Sequence, residues 1–179
     1  MVLFLNRVFN KILREWRKKV FRVYTKNKKV NVSILGKITL INPNIKVGKN
    51  VTFYPDVMFF GDGLISIGDN VTIGNGTIIY ASANGGGVEI GDGVQIAAQC
   101  YIIDTDHGIK KDRPIREQAN TVQPIKIESE SWIAAGCKIL KGSHIGYGAV
   151  IGAGSVVKGE IPSNAIAVGA PAKVKKYRE

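Results

Sequence analysis

Hydrophobic residues follow two different periods along this chain. Between residues 2 and 24 they recur at spacings of three and four: Leu5, Val8 and Phe9, Ile12, Trp16, Val20, Val23 and Tyr24. Arg7, Lys11, Arg14, Lys18 and Arg22 repeat on the opposite side, so the segment reads as an amphipathic helix. From residue 47 onward the period becomes six. Ile67, Ile73 and Ile79 form one run, and Ile90, Ile96 and Ile102 a second. Ile127, Ile133, Ile139, Ile145, Ile151 and Val157 form a third. Four residues after most of these stands a small or β-branched residue: Val71, Thr77, Val94, Cys100, Cys137, Ser143, Ala149, Ser155.

A period of six is neither the 3.6 of a helix nor the alternation of a hairpin strand. It fits a short flat strand followed by a corner, with the aliphatic residue deep inside and the small residue inward near the corner. Gly, Asn and Asp in runs such as IGDNVT, IGNGTI and IGAGSV supply the unusual corner angles. Three such units close a triangular coil of about 18 residues, and stacked coils turn the aliphatic positions into internal ladders. The predicted fold is all-β: a parallel β-helix over residues 31–179, preceded by a basic amphipathic arm over residues 1–30.

Composition sharpens this. A length of 179 residues fits one domain with an appendage, and 21 glycines fit many tight corners. The net charge of +11 is uneven: residues 1–30 hold ten Lys/Arg and one acid, giving +9, and leave +2 for the rest. A nearly neutral body argues against nucleic-acid binding, which needs a basic face on the domain itself. Two cysteines make no disulfide framework and point to a reducing, cytoplasmic setting. No apolar run is long enough to span a bilayer, and the start does not read as a secretory signal. The arm through residue 26 suits two roles. It fits an anionic membrane surface, with Trp16 and Phe21 in the interface, or it packs on the body or on a neighbouring subunit.

Two interruptions break the period. One is ASANGGG, Ala81–Gly87; the other is an excursion over about 104–124, DTDHGIKKDRPIREQANTVQP. A regular solenoid has no packing need for such an excursion, and long loops in compact folds are often functional. It carries His107, one of only two histidines, directly after Asp104-Thr105-Asp106. An imidazole there suits a general base oriented by Asp104 or Asp106; the alternative is a solvated loop histidine. Tyr80, Ser82 and Asn84 lie at the first interruption as candidate acceptor contacts. His144 follows an inward position and is expected to point outward. With two histidines the chain has too few for a three-histidine zinc site, so no catalytic metal is expected. Cys100 and Cys137 both fall on the inward ladder as buried structural thiols.

These repeats, the segment WIAAGCKILKGSHIGYGAVIGAGSVVKGEIP and the tail SNAIAVGAPAKV resemble the hexapeptide-repeat acyltransferases. The likeness covers roughly residues 45–179 and is strongest to sugar O-acetyltransferases of the maltose/galactoside and surface-polysaccharide type. It implies a left-handed parallel β-helix, a homotrimer, and acetyl-CoA in the groove between neighbouring prisms. It implies His107 as the base, with direct transfer to a sugar hydroxyl. Trp132, Ala135 and Ala153 match positions along the pantetheine, Lys158 one near the adenine end, and Lys173 and Lys176 basic residues around the nucleotide. Asn84 matches an acceptor contact. Lys158-Gly159-Glu160 and Ala134 depart from the usual pattern at the nucleotide end. The expected acceptor is a sugar hydroxyl on a nucleotide sugar or a lipid-linked glycan. The alternatives are N-acetylation of an amino sugar or antibiotic, or a non-catalytic scaffold or glycan-binding module.

Overall fold

The computed structural model describes residues 2–25 and 31–179, with helix side chains from residue 9 onward. The expectations placed on the side chains of Leu5, Arg7 and Val8, and on residues 26–30, lie outside this range. Helix α1 spans Val2–Tyr24.

From Val32 the chain visits three parallel sheets in strict rotation, making a three-sided β-helix of about seven coils. The first sheet runs from Val32–Ile34 through Gln95–Ile96, Trp132–Ile133 and Val150–Ile151 to Ala165–Gly169. The second includes Val57–Gly61, Ile78–Ala81, Tyr101–Ile103, Lys138–Ile139 and Val156–Val157. The third includes Ile65–Ile67, Val88–Ile90, Ile125–Ile127, His144–Ile145 and Glu160–Ile161.

The register stacks the repeat on itself. Ile96 pairs with Ile133 and Ile133 with Ile151; Ile102 pairs with Ile139 and Ile139 with Val157. Ile90, Ile127, Ile145 and Ile161 align on the third sheet. All are buried, each burial contributing about 1.5–3 kcal/mol. The small residues four positions on are buried too. Where these are polar, corner carbonyls satisfy them: Ser143 Oγ donates to Leu140 O at 2.6 Å, and Thr77 Oγ1 to Ala97 O at 3.1 Å.

Corners share one backbone device. The third residue after a ladder aliphatic takes positive φ: Asn70 at 58°, Gly136 at 72°, and also Gln99 and Glu130, both at 60°. Glycine and asparagine accept this region cheaply; Gln and Glu cost about 1–2 kcal/mol there. Pairing between corners offsets that cost. Gln99 N donates to Asn75 O and Glu130 N to Asp92 O, both at 2.8 Å.

The coils begin well before the repeat becomes readable. Leu40 to Val47 is a step of seven and Phe59 to Ile67 a step of eight, so the six-residue period is broken at its start. The extra residues sit at a corner organised by buried Asn42. Its Nδ2 donates to Phe60 O and Gly63 O, and its Oδ1 accepts Asn44 N.

Helix α1 plugs the first end of the prism through one side chain. Phe21 is fully buried, 5.3 Å from the Phe53 ring, which meets Phe59 edge-on at 5.6 Å. Phe21 is thus a core residue and not a lipid-facing one, as the interfacial reading of the arm had it. Phe9, Ile12, Trp16, Val20 and Val23 stay exposed, so the apolar face of the helix does not pack on the body of its own chain. At the other end, Ala172–Tyr177 folds back antiparallel on Ala165–Gly169.

Phe21→Ala is expected to lower stability by about 3 kcal/mol in urea unfolding, by loss of a buried ring and the cavity it leaves. Trp16→Ala should change it by less than about 0.5 kcal/mol.

Candidate active site

Both interruptions leave the prism at the same corner, between the second and third sheets. The longer one is an ordered excursion. It opens with Thr105–Asp106 paired antiparallel to Thr121–Val122 and turns through a short 3-10 segment, Ile115–Glu117. Gln118 staples its middle: Oε1 accepts Lys110 N at 2.7 Å, and Nε2 donates to Lys110 O and Arg113 O at 2.8 and 2.9 Å. Lys141, from a neighbouring coil, ties its base by hydrogen bonding Thr121 Oγ1 and lying 3.4 Å from Asp106 Oδ2. His107 is exposed between these anchors, on the wall of a cavity of about 940 Å³. Asp106, Lys110, Arg113, Lys141 and Lys158 share that wall.

The two carboxylates proposed to orient His107 have other partners. Asp104 is fully buried and accepts Ser82 N at 2.8 Å and Gly87 N at 2.7 Å on Oδ2. Its Oδ1 lies 3.0 Å from Ser82 N. It therefore clamps the first interruption to the second. Gly86 is required beside it, because a Cβ there would collide with this carboxylate and with Val122. Burial pushes the Asp104 carboxyl above its usual range, opposed by the Ser82 and Gly87 amides. Asp106 faces Lys141. The cause is a bend: the chain turns out of the prism at Asp104 before Thr105–Asp106 pairs with the return strand, so Asp104 stays in the corner while Asp106 is carried out on the excursion.

Tyr80 is half-buried on the outer face of the second sheet, between Phe60 and Ile103, and leads into this corner. Ser82 is held through its amide, and Asn84 stands exposed at the turn. Tyr80, Ser82, Asn84, Asp104, Asp106, His107 and Lys158 thus gather at one corner. The other cofactor candidates do not join them. Trp132 projects from the first sheet, half-exposed, over a shallow groove with Tyr54, Gln95 and Ala97. Ala98, Ala135 and Ala153 form a bare ridge at the corner between the first and second sheets. There Gly136 N donates to Ala98 O, and Gly154 N to Ala135 O. Lys173 and Lys176 lie on the returning strand at the far edge of the first sheet, opposite Val168 and Ile166.

Gln118 and Lys141 escaped the sequence reading. Nothing in the composition of the excursion distinguishes Gln118 from its polar neighbours. Lys141 lies 35 positions from Asp106 in a regular repeat unit, and only the coil stacking brings them together. His144 points outward, with Nε2 2.9 Å from Glu128 Oε1; this hydrogen bond holds the Glu128 carboxyl below its usual range. Cys100 and Cys137 are buried, and contact with Cys137 together with burial pushes the Cys100 thiol up. Among the described residues, no group of His, Cys, Asp or Glu is placed to hold a metal ion.

Two family models match the chain. "Bacterial transferase hexapeptide (six repeats)" covers residues 124–159, and "Hexapeptide repeat of succinyl-transferase" covers 65–103. Both matched segments carry hexapeptide repeats. Among curated proteins, Rv3034c of Mycobacterium tuberculosis, named as an acetyltransferase, is 40% identical over 119 residues. That match spans 66% of this chain and 39% of Rv3034c. WbbJ of Escherichia coli K12, named for O-acetyl transfer in lipopolysaccharide biosynthesis, is 36% identical over 127 residues, or 66% of this chain and 63% of WbbJ. The chain therefore spans less than two thirds of either relative. Among solved structures, AntD of Bacillus cereus, an N-acyltransferase in complex with dTDP and 3-hydroxybutyryl-CoA, matches with a TM-score of 0.75. It is 22% identical, and the match covers 91% of this chain and 88% of AntD. This likeness shows that the two chains share a fold over nearly all of the β-helix.

Asp104→Asn replaces an acceptor oxygen with a donor facing two amides. It is expected to lower stability by about 1–3 kcal/mol in urea unfolding. Amide exchange should rise at Ser82 and Gly87 while the aliphatic ladders stay protected.

Proposed function

We propose that this hexapeptide-repeat protein is an acetyl-CoA-dependent O-acetyltransferase acting on a sugar hydroxyl. The observation that carries the reading is His107, exposed on a stapled excursion at the wall of a basic corner cavity, in a chain whose curated relatives are named as acetyltransferases. A sugar hydroxyl is a poor nucleophile while protonated. The His107 imidazole removes its proton, the oxygen attacks the thioester carbonyl, and the carbon–sulfur bond breaks as the tetrahedral intermediate collapses. The departing thiolate takes the proton back from His107. Such a base contributes about 10²–10⁴-fold in rate. Backbone amides at the coil corners are suited to the oxyanion. Lys110, Arg113, Lys141 and Lys158 give the cavity the charge that a nucleotide or phosphorylated sugar needs. The name of WbbJ favours a hydroxyl of a surface glycan, carried on a nucleotide or a lipid, over an amine. Work on a lipid-linked acceptor fits a cytoplasmic protein with peripheral contact at the inner face of the membrane. No described helix is long and apolar enough to cross one.

The functional assembly is a homotrimer whose site is shared between chains. The loop corner and the Trp132–Ala135–Ala153 strip lie on different corners of the prism, so one chain does not bring the base to the pantetheine groove. The outer face of the second sheet offers the means of association: Met58, Phe60, Ile78, Tyr80, Tyr101 and Ile103 are all apolar or aromatic and only half-buried. The third sheet instead presents Lys46, Ser66, Glu89, Lys126, His144 and Glu160.

Calorimetric titration with acetyl-CoA should give saturable binding at one site per chain, and His107→Ala should fold and bind yet lose at least about 100-fold in transfer. No binding at millimolar ligand by folded, trimeric protein returns the chain to a glycan-binding scaffold. A screen in which only amino sugars turn over moves it to N-acetylation. Co-refolding equal amounts of His107→Ala and Ala135→Trp chains is expected to restore about a quarter of wild-type turnover, because random trimers contain that share of interfaces with both halves intact. No recovery would place the whole site in one chain.

A further inference from the structure

We infer that α1 docks the protein on an anionic lipid surface through the apolar stripe Phe9–Ile12–Trp16–Val20–Val23. This deepens the peripheral contact proposed above and does not depend on the transfer chemistry.

The geometry separates two jobs on one helix. At about 100° per residue, Ile12, Val23, Trp16, Phe9 and Val20 fall within an arc of about 80°. Phe21, the side chain that plugs the prism, points about 140° away from the middle of that arc. The core contact therefore fixes the helix with its stripe turned outward, and the five side chains remain 43–79% exposed. A row of five large apolar residues with an indole among them is costly to leave in water, and nothing else in the described chain covers it.

Charge selects the occupant. From Phe9 to Thr25 the helix carries Lys11, Arg14, Arg17, Lys18, Lys19 and Arg22 against Glu15 alone, and Glu15 is already paired with Lys18 at 2.9 Å. Lys19 lies about 20° beyond one edge of the stripe and Arg17 about 60° beyond the other, so cations flank the apolar surface. An interfacial helix presents this arrangement to anionic headgroups, with the stripe in the acyl boundary and the cations level with the phosphates. Docking two copies stripe to stripe would instead bring two sets of cations together. The 23-residue length gives a long contact lying in the surface plane, and the helix is too charged to cross it.

The test uses the full chain with vesicles of phosphatidylglycerol mixed into phosphatidylcholine, read by co-sedimentation. Binding is expected to be at least 10-fold weaker to phosphatidylcholine alone, and to fall at least 10-fold in about 1 M salt, where the Debye length is about 3 Å. The double variant Ile12→Ser/Trp16→Ser removes only exposed apolar surface. It should lose at least 10-fold in vesicle binding while its helical circular dichroism, unfolding midpoint and acetyl-CoA titration match the parent. The inference is overturned by no binding to anionic vesicles, by equal binding to both vesicle types, or by a double variant that binds as before. It is also overturned if the double variant changes the sedimentation mass, which would assign the stripe to a second copy, or if the stripe captures an acidic protein in place of vesicles. Because acetyl-CoA binding is measured on the same samples, failure of the lipid inference and failure of the transferase reading appear in separate columns of data.

Discussion

Everything in this fold hangs on the hydrogen-bond register between successive coils. Each strand of the coils is at most six residues long and most are two or three, so none has stability of its own and each is held by bonds to its neighbours in the stack. Parallel in-register pairing makes Ile133 sit on Ile96 and Ile151 on Ile133. Once one coil places an aliphatic residue inward, every later coil must do the same at the same point, and the six-residue period in the sequence is the trace of that requirement. A slip of one residue would turn a whole coil's aliphatic set to water.

The same constraint decides where chemistry can be added. Extra residues within a strand destroy register, but at a corner the chain can leave and return to the same hydrogen bonds. Ile103 and Ile125 still pair with Tyr80 and Val88 of the preceding coil, with a stapled excursion of about twenty residues between them. The excursion is not a free loop: Asp104 fastens its root to the first interruption, Lys141 its return strand, and Gln118 its crest. His107 is thereby carried on a rigid scaffold although it belongs to no regular element, as a base acting on a positioned substrate requires.

The aliphatic ladder, the inward small residues and the two interruptions were legible because each repeats or breaks a short period. The ladder before residue 47 was not, since the step of seven from Leu40 to Val47 breaks the six-residue period even though the backbone follows the coil. Gln99 and Glu130 at positive φ escaped because the sequence rule names Gly and Asn, while here the neighbouring corner's carbonyl fixes the backbone whatever the side chain. Asp104 was legible as a carboxylate near a histidine but not as a clamp: its partners are main-chain amides 17 and 22 residues away, which leave no mark in residue type. Phe21 looked like any other apolar helix residue until the open end of the prism gave it somewhere to go.

A stack of coils has two raw ends and three faces, and each is treated differently here. Unpaired strand edges invite further pairing, so ends must be covered. The first end is closed by Phe21 on Phe53, the last by Ala172–Tyr177 turning back antiparallel, which ends the parallel ladder on the first sheet. The third face alternates charge and carries the His144–Glu128 pair, a surface suited to water. The second face carries Met58, Phe60, Ile78, Tyr80, Tyr101 and Ile103 along its outer positions, with Lys138 as a charged exception toward the last coils, and the helix that closes the first end presents a second apolar surface pointing elsewhere. These two apolar surfaces thus differ in their chemistry. The flat, mostly apolar one matches another prism of the same kind, and the narrow one, flanked by Lys19 and Arg17, matches an anionic boundary. Phe21, the one fully buried side chain among the described helix residues, seats the helix with its stripe turned away from the prism, so an assembly formed on the second face would carry these stripes outside its core.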